Sequence, residues 1–268
     1  MLTIVGFLWR DPLYSGRFEP ESANIWARMI HRNLSMPHRF VLMTDYPDAK
    51  YDPLIEPVKL WDDWRELRHP RWEGPHCYLR LKAFSEEVRP IFGDRFVSID
   101  LDCLFLDYLD PLFEREEDFV IVHRDGDKPE KERNKYQGGM WMMNTGARRQ
   151  VWDDFRGLES IKAAEFMGTD QAWIRHKLGP NEAGWTKNDG VVNWSNVKGD
   201  GRWRFQAPKR TRIIFFRGED QATQYLHRDQ PYCAHCGQPA KLAPPFRLPK
   251  MTREASWDEY AWVAEHYR

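Results

Sequence analysis

The sequence predicts an α/β fold in which a mostly parallel central sheet carries helices on both faces. Short apolar, β-prone segments alternate along the chain with amphipathic segments of helical period. The first of them, Leu2–Leu8, is apolar almost throughout, as expected of a strand that is buried on both faces. Asp100 and Asp102 directly follow another such segment, at a strand end of the kind where open α/β sheets bind ligands.

The remaining elements follow from apolar periodicity and from helix and turn signals. Further strands are predicted at 40–43, 55–60, 95–99, 119–123, 139–143 and 213–216. The first helix is predicted to be capped by Ser22 or Asn24. Other helices are predicted at 78–88 (ending before Pro90), 150–156, 160–167 and 170–177, the last with Thr169 as its N-cap. Residues 1–227 are predicted to form one domain, and 228–268 a C-terminal extension that ends in a helix.

Charge and composition argue against several classes of protein. The 40 basic and 41 acidic residues give a net charge of −1, whereas a general nucleic-acid binder has a basic excess. No apolar run is long enough to cross a bilayer, and residues 1–8 lack the basic leader and cleavage site of a signal peptide. Four cysteines are too few for a disulfide scaffold in 268 residues. We therefore expect a cytoplasmic protein with no transmembrane segment and no general affinity for nucleic acid.

The strongest local signal is Asp100-Leu101-Asp102 after the strand at 95–99. Residues two apart on an extended chain point the same way, so both carboxylates can face one site. Two neighbouring negative charges favour a cation between them, and Mg²⁺ or Mn²⁺ prefers such oxygen ligands. The alternative is a solvated acidic turn. The pattern predicts a divalent metal site.

Two other positions carry a functional and a plain structural interpretation. Asp170 and Gln171 open a helix, whose N-terminus offers free N–H groups and a positive dipole end to an anion. Aspartate is also an ordinary residue of a first helical turn. Arg80 lies on the segment before the Asp100 strand, where it is either a site residue or a surface cation.

In the order of its motifs, the chain resembles the glycogenin-like (family 8) glycosyltransferases and their bacterial relatives, which have a GT-A fold. The resemblance runs from Leu2 to about Gln221. Its carriers, in chain order, are Thr3-Ile4-Val5, Pro37-His38-Arg39-Phe40-Val41, Thr44-Asp45, Tyr78-Leu79-Arg80-Leu81-Lys82-Ala83-Phe84, Ser98-Ile99-Asp100-Leu101-Asp102, Gly138-Gly139-Met140, Thr169-Asp170-Gln171 and Phe215-Phe216-Arg217-Gly218.

The resemblance implies a metal-assisted, retaining transfer from a nucleoside-diphosphate sugar, such as a UDP-sugar, to a hydroxyl of a glycan or other acceptor. It implies that Asp100 and Asp102 bind Mn²⁺ or Mg²⁺ on the donor diphosphate, and that Asp170 and Gln171 are the catalytic pair beside the sugar. The donor-binding residues that it implies are Thr3, Val5 and Tyr14 at the base, and Arg80, Asp100, Leu101, Gln137, Gly139, Arg217 and Gly218.

The chain departs from the family pattern at the end of the domain. Family members carry H-F-x-G-x-x-K-P-W there, whereas this chain has Phe215 in place of the metal-binding His and Gln221 in place of the phosphate-binding Lys. Gln137 also replaces the family's Asn, one methylene longer. In place of that Lys, we expect Arg217 to neutralise part of the diphosphate charge, as a guanidinium does well.

Three further interpretations stay open from the sequence. The missing His and Lys also fit a non-catalytic nucleotide-sugar-binding relative. A nucleotidyltransferase uses an acidic metal site too, but Trp9-Arg10-Asp11-Pro12 is not the Gly-rich basic loop that such enzymes carry after the first strand. Cys233 and Cys236 form a C-x-x-C that predicts either a structural Zn²⁺ site or a pair of reduced thiols.

Overall fold

A computed structural model describes residues 1–10, 18–71, 76–124, 135–164, 168–194, 210–216 and 266–267. The strands within these ranges are β1 Leu2–Leu8, β2 His38–Thr44, β3 Ile55–Lys59, β4 Arg95–Ile99, β5 Cys103–Phe105, β6 Phe119–His123, β7 Tyr136–Asn144, β8 Ala183–Trp185, β9 Val191–Asn193 and β10 Ile213–Phe215. The helices are α1 Pro20–Asn33, α2 Arg89–Phe92, α3 Asp110–Phe113, α4 Gln150–Asp153, α5 Leu158–Ala163 and α6 Asp170–Leu178. The predicted division at 227 stays a prediction, since residues 228–265 lie outside these ranges.

The α/β prediction is confirmed by the main sheet, whose order in the described residues is β3-β2-β1-β4-β7-β6-β8. The pairs β1–β2, β2–β3, β1–β4 and β6–β8 are parallel, whereas β7 is antiparallel to both β4 and β6. Because β7 runs the other way, its first residues lie beside the carboxyl end of β4. This reversal brings the segment around Gly138 and Gly139 next to Asp100.

Both faces of the main sheet are buried, which explains the continuous apolar strands. Side chains alternate along β1, so that Ile4 and Leu8 belong to one core cluster and Val5 and Phe7 to the other. Helix α1 covers the first face with residues such as Trp26. Helix α6 and the segment Tyr78–Phe84 cover the second. The predicted layering is therefore correct.

A second sheet in the described residues has the order β5-β10-β9 and lies directly after the Asp100-Leu101-Asp102 turn. Cys103 pairs with Phe215, which in turn pairs with Asn193. The Phe216 N–H donates to the Asp102 carbonyl oxygen at 2.9 Å. The turn that carries both aspartates is thus held between the two sheets.

The helix predicted at 78–88 is wrong in type. The chain forms two 3₁₀ segments, Tyr78–Phe84 and Glu86–Val88, separated by an extended Ser85. The Ser85 hydroxyl accepts a hydrogen bond from the Glu87 N–H at 2.8 Å, an alternative to the helical bond that serine often provides. The second 3₁₀ segment ends at Val88, which is the predicted end. A separate helix that was not predicted, α2, follows directly, with Pro90 in its first turn, where proline is tolerated.

Other element boundaries also differ. Helix α1 begins at Pro20 with Glu19 as its N-cap, and neither Ser22 nor Asn24 caps it; Ser22 occupies the third helical position and accepts from the Glu19 N–H at 3.3 Å. Helices α4 and α5 end earlier than predicted, and β7 begins three residues earlier. Within the described residues, no helix has both the length and the apolar character needed to cross a bilayer.

Candidate active site at the carboxyl edge of the sheet

The candidate site is centred on the end of β4, where the chain leaves the sheet. The Asp100 N–H donates to the Gly139 carbonyl oxygen at 2.8 Å, which continues the β4–β7 ladder by one residue. Gln137 and Gly138 therefore lie at the level of the Asp100-Leu101-Asp102 turn. Two segments that are far apart in sequence meet at this edge because β4 and β7 are antiparallel.

The buried guanidinium of Arg80 connects the two sides of the site. Its Nε and Nη2 donate to Oδ2 of Asp170 at 2.9 and 2.6 Å, and its Nη1 donates to Oδ1 of Asp100. The side chain of Arg80 is 6% exposed and that of Asp170 is 4% exposed, while that of Asp100 is 32% exposed. The ion pairs thus join a buried anion to a carboxylate that reaches solvent.

The pKa of Arg80 shows why the guanidinium stays charged although it is buried. Burial lowers the pKa of Arg80, but the charges of Asp100 and Asp170 raise it well above its ordinary value. A buried charge without a partner is costly, so the guanidinium depends on both carboxylates. Two carboxylates share one guanidinium, so the cluster is net negative when both are ionised.

Asp170 has hydrogen-bond donors on both carboxylate oxygens. Besides Arg80 on Oδ2, its Oδ1 accepts from the Gln171 N–H at 2.8 Å and from the Thr169 hydroxyl at 3.1 Å. The Oε1 of Gln171 accepts from the Gly138 N–H at 3.0 Å, which ties the start of α6 to the start of β7. The N-terminus of α6 and Arg80 thus hold the Asp170 carboxyl group in one orientation.

Gly138 is required by the close approach of Arg80. A Cβ at this position would lie 3.1 Å from Nη2 of Arg80 and 3.6 Å from each Asp170 carboxylate oxygen. The backbone of β7 therefore lies directly beside the ion pair, and only glycine at position 138 leaves the ion pair undisturbed. In the sequence, Gly138 is recognisable only as one of two adjacent glycines, and the pattern does not explain why glycine is needed there.

Asp100 lies where a cation would be favourable. Burial raises the pKa of Asp100 to about 7 although Arg80 opposes the rise, and the charges of Asp102 and Asp170 contribute to it. Asp102 is half-buried and close enough to act on Asp100 electrostatically. Across the ranges that the structure describes, no three His, Cys, Asp or Glu side chains converge as a ready-made metal cluster.

Two adjacent carboxylates fit a divalent cation that a substrate helps to bind. Mg²⁺ in particular is usually held by one or two carboxylates together with substrate phosphates and water. Phe215, at the position where the resemblance would place a metal-binding His, does not add a ligand. Its side chain is buried, and its ring atoms would lie 3.0 and 3.1 Å from a Cβ on Gly139. The ring covers Gly139 and leaves the two aspartates as the described candidate ligands.

Three other predicted donor-binding residues have buried side chains outside the Arg80 ion-pair cluster. Thr3 and Val5 are buried in the first half of β1, paired with Phe96 and Ser98, whereas Asp100 follows the end of β4. The Thr3 hydroxyl accepts from Nε of Arg39 at 3.1 Å. Leu101 packs into the core. The donor-binding roles of Thr3, Val5 and Leu101 stay predictions.

Several expectations fall outside the described residues. Tyr14, Arg217 and Gly218 are among them, and so are Cys233 and Cys236 with the predicted zinc site. Their roles stay predictions.

The structure adds an ion-pair cluster at the carboxyl ends of β1 and β2 that sequence reasoning missed. Asp45 follows β2 and accepts from Nη1 of Arg65 at 2.8 Å and from the Arg10 N–H at 2.8 Å. The guanidinium of Arg10 lies 4.4 Å from the centre of the Tyr46 ring. One sequence feature could have identified this cluster: Asp45 directly follows a strand, as Asp100 does.

Solved structures of glycosyltransferases share this architecture. The galactosyltransferase LgtC, in complex with donor and acceptor sugar analogues, aligns with a TM-score of 0.53 at 13% identity, over 97% of this chain and 95% of LgtC. A structure of an active-site mutant of LgtC aligns with a TM-score of 0.54 at 12% identity. The glycosyltransferase GlyE of Streptococcus pneumoniae TIGR4 aligns with a TM-score of 0.51 at 12% identity, over 82% of this chain and 56% of GlyE.

The chain has the fold of these GT-A glycosyltransferases. The predicted fold class is thereby confirmed. No protein-family model matches the chain, and no curated protein matches it in sequence.

Proposed function

We propose that this protein transfers a sugar from a nucleoside-diphosphate sugar, a UDP-sugar in the first instance, to an acceptor hydroxyl. The observation that carries the proposal is the buried Arg80, paired with Asp100 at the end of β4 and with Asp170 at the start of α6. In a GT-A fold this is the edge at which ligands bind. The LgtC complex with donor and acceptor sugar analogues supports the same class of reaction.

The charge balance of the site supports a metal-assisted reaction. Because two carboxylates share the single guanidinium of Arg80, the cluster repels a diphosphate that arrives without a cation. Asp100 and Asp102 would hold Mn²⁺ or Mg²⁺ together with the donor diphosphate. Bound there, the metal supplies Lewis-acid stabilisation of the charge on the leaving diphosphate.

Arg80 and Asp170 have different tasks in this proposal. Arg80 keeps Asp100 and Asp170 at a fixed separation and adds positive charge on the protein side of the diphosphate. The carboxylate oxygens of Asp170 already accept from Arg80, Gln171 and Thr169, so we assign Asp170 electrostatic support of the sugar's developing positive charge and not nucleophilic attack. Gln171 positions the Gly138 backbone beside the sugar. Retention of configuration belongs to the proposal through the family resemblance.

The test is release of UDP from a panel of UDP-sugars with Mn²⁺, with Mg²⁺ and with a chelator. We expect metal-dependent release from at least one donor, and loss of that release in Asp100→Asn. Binding of UDP-sugars without release would favour the non-catalytic alternative. Failure of every UDP-sugar to bind in the presence of Mn²⁺ would overturn the proposal.

A further inference from the structure

Two buried amide oxygens beside the candidate site have no hydrogen-bond partner within the described part of the chain. They are Oδ1 of Asn193, at the end of β9, and Oε1 of Gln137, at the start of β7. Both residues are 7% exposed. A buried acceptor without a donor destabilises the folded state. We therefore expect such an atom to have a functional role in which it binds a donor from another molecule.

The strand register places Asn193 on the same side of its sheet as Phe215. The two residues are paired in the parallel β9–β10 ladder, and paired residues of neighbouring strands direct their side chains to one face. The next residues confirm the alternation, because the rings of Trp194 and Phe216 pack together with centroids 4.9 Å apart. Asn193 and Phe215 therefore share the opposite face.

That face is directed at the candidate site. The Phe215 ring lies against Gly139, and Nε2 of Gln137 would be 3.3 Å from a Cβ on the same glycine. The Gly139 carbonyl oxygen accepts from the Asp100 N–H at 2.8 Å. Phe215 thus has two residues with unpaired amide oxygens in its neighbourhood, Asn193 from one sheet and Gln137 from the other, close to the aspartate proposed to bind the diphosphate.

We propose that Asn193 binds a hydroxyl group of a sugar at this site, with Gln137 nearby. An amide oxygen requires a hydrogen-bond donor, and a sugar hydroxyl supplies one in the place where the transferred sugar or its acceptor would lie. The inference rests on the proposed function and assigns to it a residue from the second sheet. Asn193 is then a specificity-determining residue, since a sugar without that hydroxyl leaves the amide oxygen unpaired.

The test compares the wild type with Asn193→Leu and with Asn193→Ala, which removes the amide without adding volume. In the first arm, calorimetry with Mn²⁺ measures the Kd of UDP and of UDP-glucose and UDP-galactose. If the hydroxyl belongs to the donor, the variants bind the preferred UDP-sugar about fivefold to tenfold more weakly while the Kd of UDP is unchanged. In the second arm, glucose, galactose or lactose is added as acceptor at saturating donor. If the hydroxyl belongs to the acceptor, the variants lose the stimulation of UDP release that these sugars give the wild type.

Asn24 provides a matched control. It is also 7% exposed, but its Nδ2 donates to Glu21 at 2.8 Å and its Oδ1 accepts from the Asp52 N–H at 2.8 Å. We expect Asn24→Leu to lower the Tm and to leave the sugar-dependent readouts unchanged. Asn193→Leu should leave the Tm unchanged or raise it, because no hydrogen bond within the described protein is lost.

Wild-type behaviour of both Asn193 variants in both arms would overturn the inference and leave the proposed function standing. An equal loss of UDP and UDP-sugar affinity, or a fall in Tm with both Asn193 variants as large as that of Asn24→Leu, would also overturn it, because Asn193 would then support the nucleotide or the fold. Failure of the wild type to bind any UDP-sugar would instead remove the proposed function itself, and this inference with it.

Discussion

At the scale of single residues, the geometry of Arg80 depends on the shape of a guanidinium. Its Nε and Nη2 bind one carboxylate, that of Asp170, while its Nη1 binds a second, that of Asp100. A planar group with donors on different edges can satisfy both anions at once, whereas an ammonium group acts as a single compact charge. The site therefore requires arginine and not only a positive charge.

We expect Arg80→Lys to reduce metal-dependent UDP release by about 100-fold, as for the loss of one preorganised donor. The lysine would leave one of the two carboxylates without its partner. Steady-state kinetics with a UDP-sugar measures the effect, and Arg89→Lys is the control because Arg89 forms exposed ion pairs with Glu86 and Asp94. Wild-type turnover in a folded Arg80→Lys protein would refute the assigned role.

Gly138 provides a second residue-scale prediction. In Gly138→Ala the added methyl group displaces the Arg80 guanidinium, which lies 3.1 Å from the new atom. We expect kcat/KM to fall about 10-fold to 100-fold with a Tm close to that of the wild type. Gly6→Ala is the matched control: its Cβ would lie 3.2 Å from Leu42 and Trp26 in the core, so it should lower the Tm and spare the reaction. A Gly138→Ala protein with normal kcat/KM would show that the close approach of the β7 backbone to Arg80 does not matter for the reaction.

At the scale of elements, the sequence predicted long buried strands better than short ones. The strands β1, β4 and β6 have the predicted bounds, because a mostly apolar segment of five to seven residues is a strong signal. The three-residue strands β5, β8 and β9 were missed, since so few residues show no period. The 3₁₀ form of Tyr78–Phe84 was not predicted. The hydrogen bond that the Ser85 hydroxyl accepts in place of a helical bond depends on side-chain geometry, which the sequence does not show.

Only part of the candidate site was predictable from the sequence. Asp100 and Asp102 follow a clear strand, so their place at the sheet edge was visible in the sequence. The ion pair between Arg80 and Asp170 joins residues 90 positions apart, and only the fold brings them together. The unpaired oxygen of Asn193 was likewise invisible, because whether a buried amide has a partner depends on the neighbouring strand.

Helix α3 illustrates how one carboxylate can join three elements. Asp110, at its first residue, accepts from the Ser35 N–H at 2.9 Å, the Ser35 hydroxyl at 2.7 Å and the Met36 N–H at 2.9 Å. These residues lie between α1 and β2. Burial raises the pKa of Asp110, but the hydrogen bonds from Ser35 and Met36 outweigh it and hold the pKa below its ordinary value.

We expect Asp110→Asn to lower the free energy of unfolding by about 1–3 kcal/mol at pH 7. A lowered folded-state pKa means that this stabilisation is fully present above the usual carboxyl pKa of about 4 and is lost as the pH falls through the folded-state value. Urea unfolding at pH 7 and near pH 3 should therefore show a difference from the wild type that shrinks in acid. The exposed Asp48→Asn is the control. A difference that stayed constant or grew in acid would show that Asp110 does not act as a hydrogen-bonded anion.

At the scale of the whole molecule, the fold and the site reinforce each other. The two core clusters hold the main sheet from both faces, and the reversed β7 brings its glycines to the end of β4. The fold is shared with LgtC in an alignment over 97% of the chain. The central claim is that this edge of the sheet binds a metal and a nucleoside diphosphate together.

That claim is tested most directly by calorimetric titration of UDP into the protein with and without Mn²⁺, for the wild type, Asp102→Asn and the exposed control Asp107→Asn. We predict that Mn²⁺ tightens UDP binding by about tenfold or more in the wild type and in Asp107→Asn, because the cation offsets the net negative charge of the site. In Asp102→Asn this enhancement should be lost. An Mn²⁺ enhancement that is the same in all three proteins, or absent from the wild type, would contradict the assignment of Asp100 and Asp102.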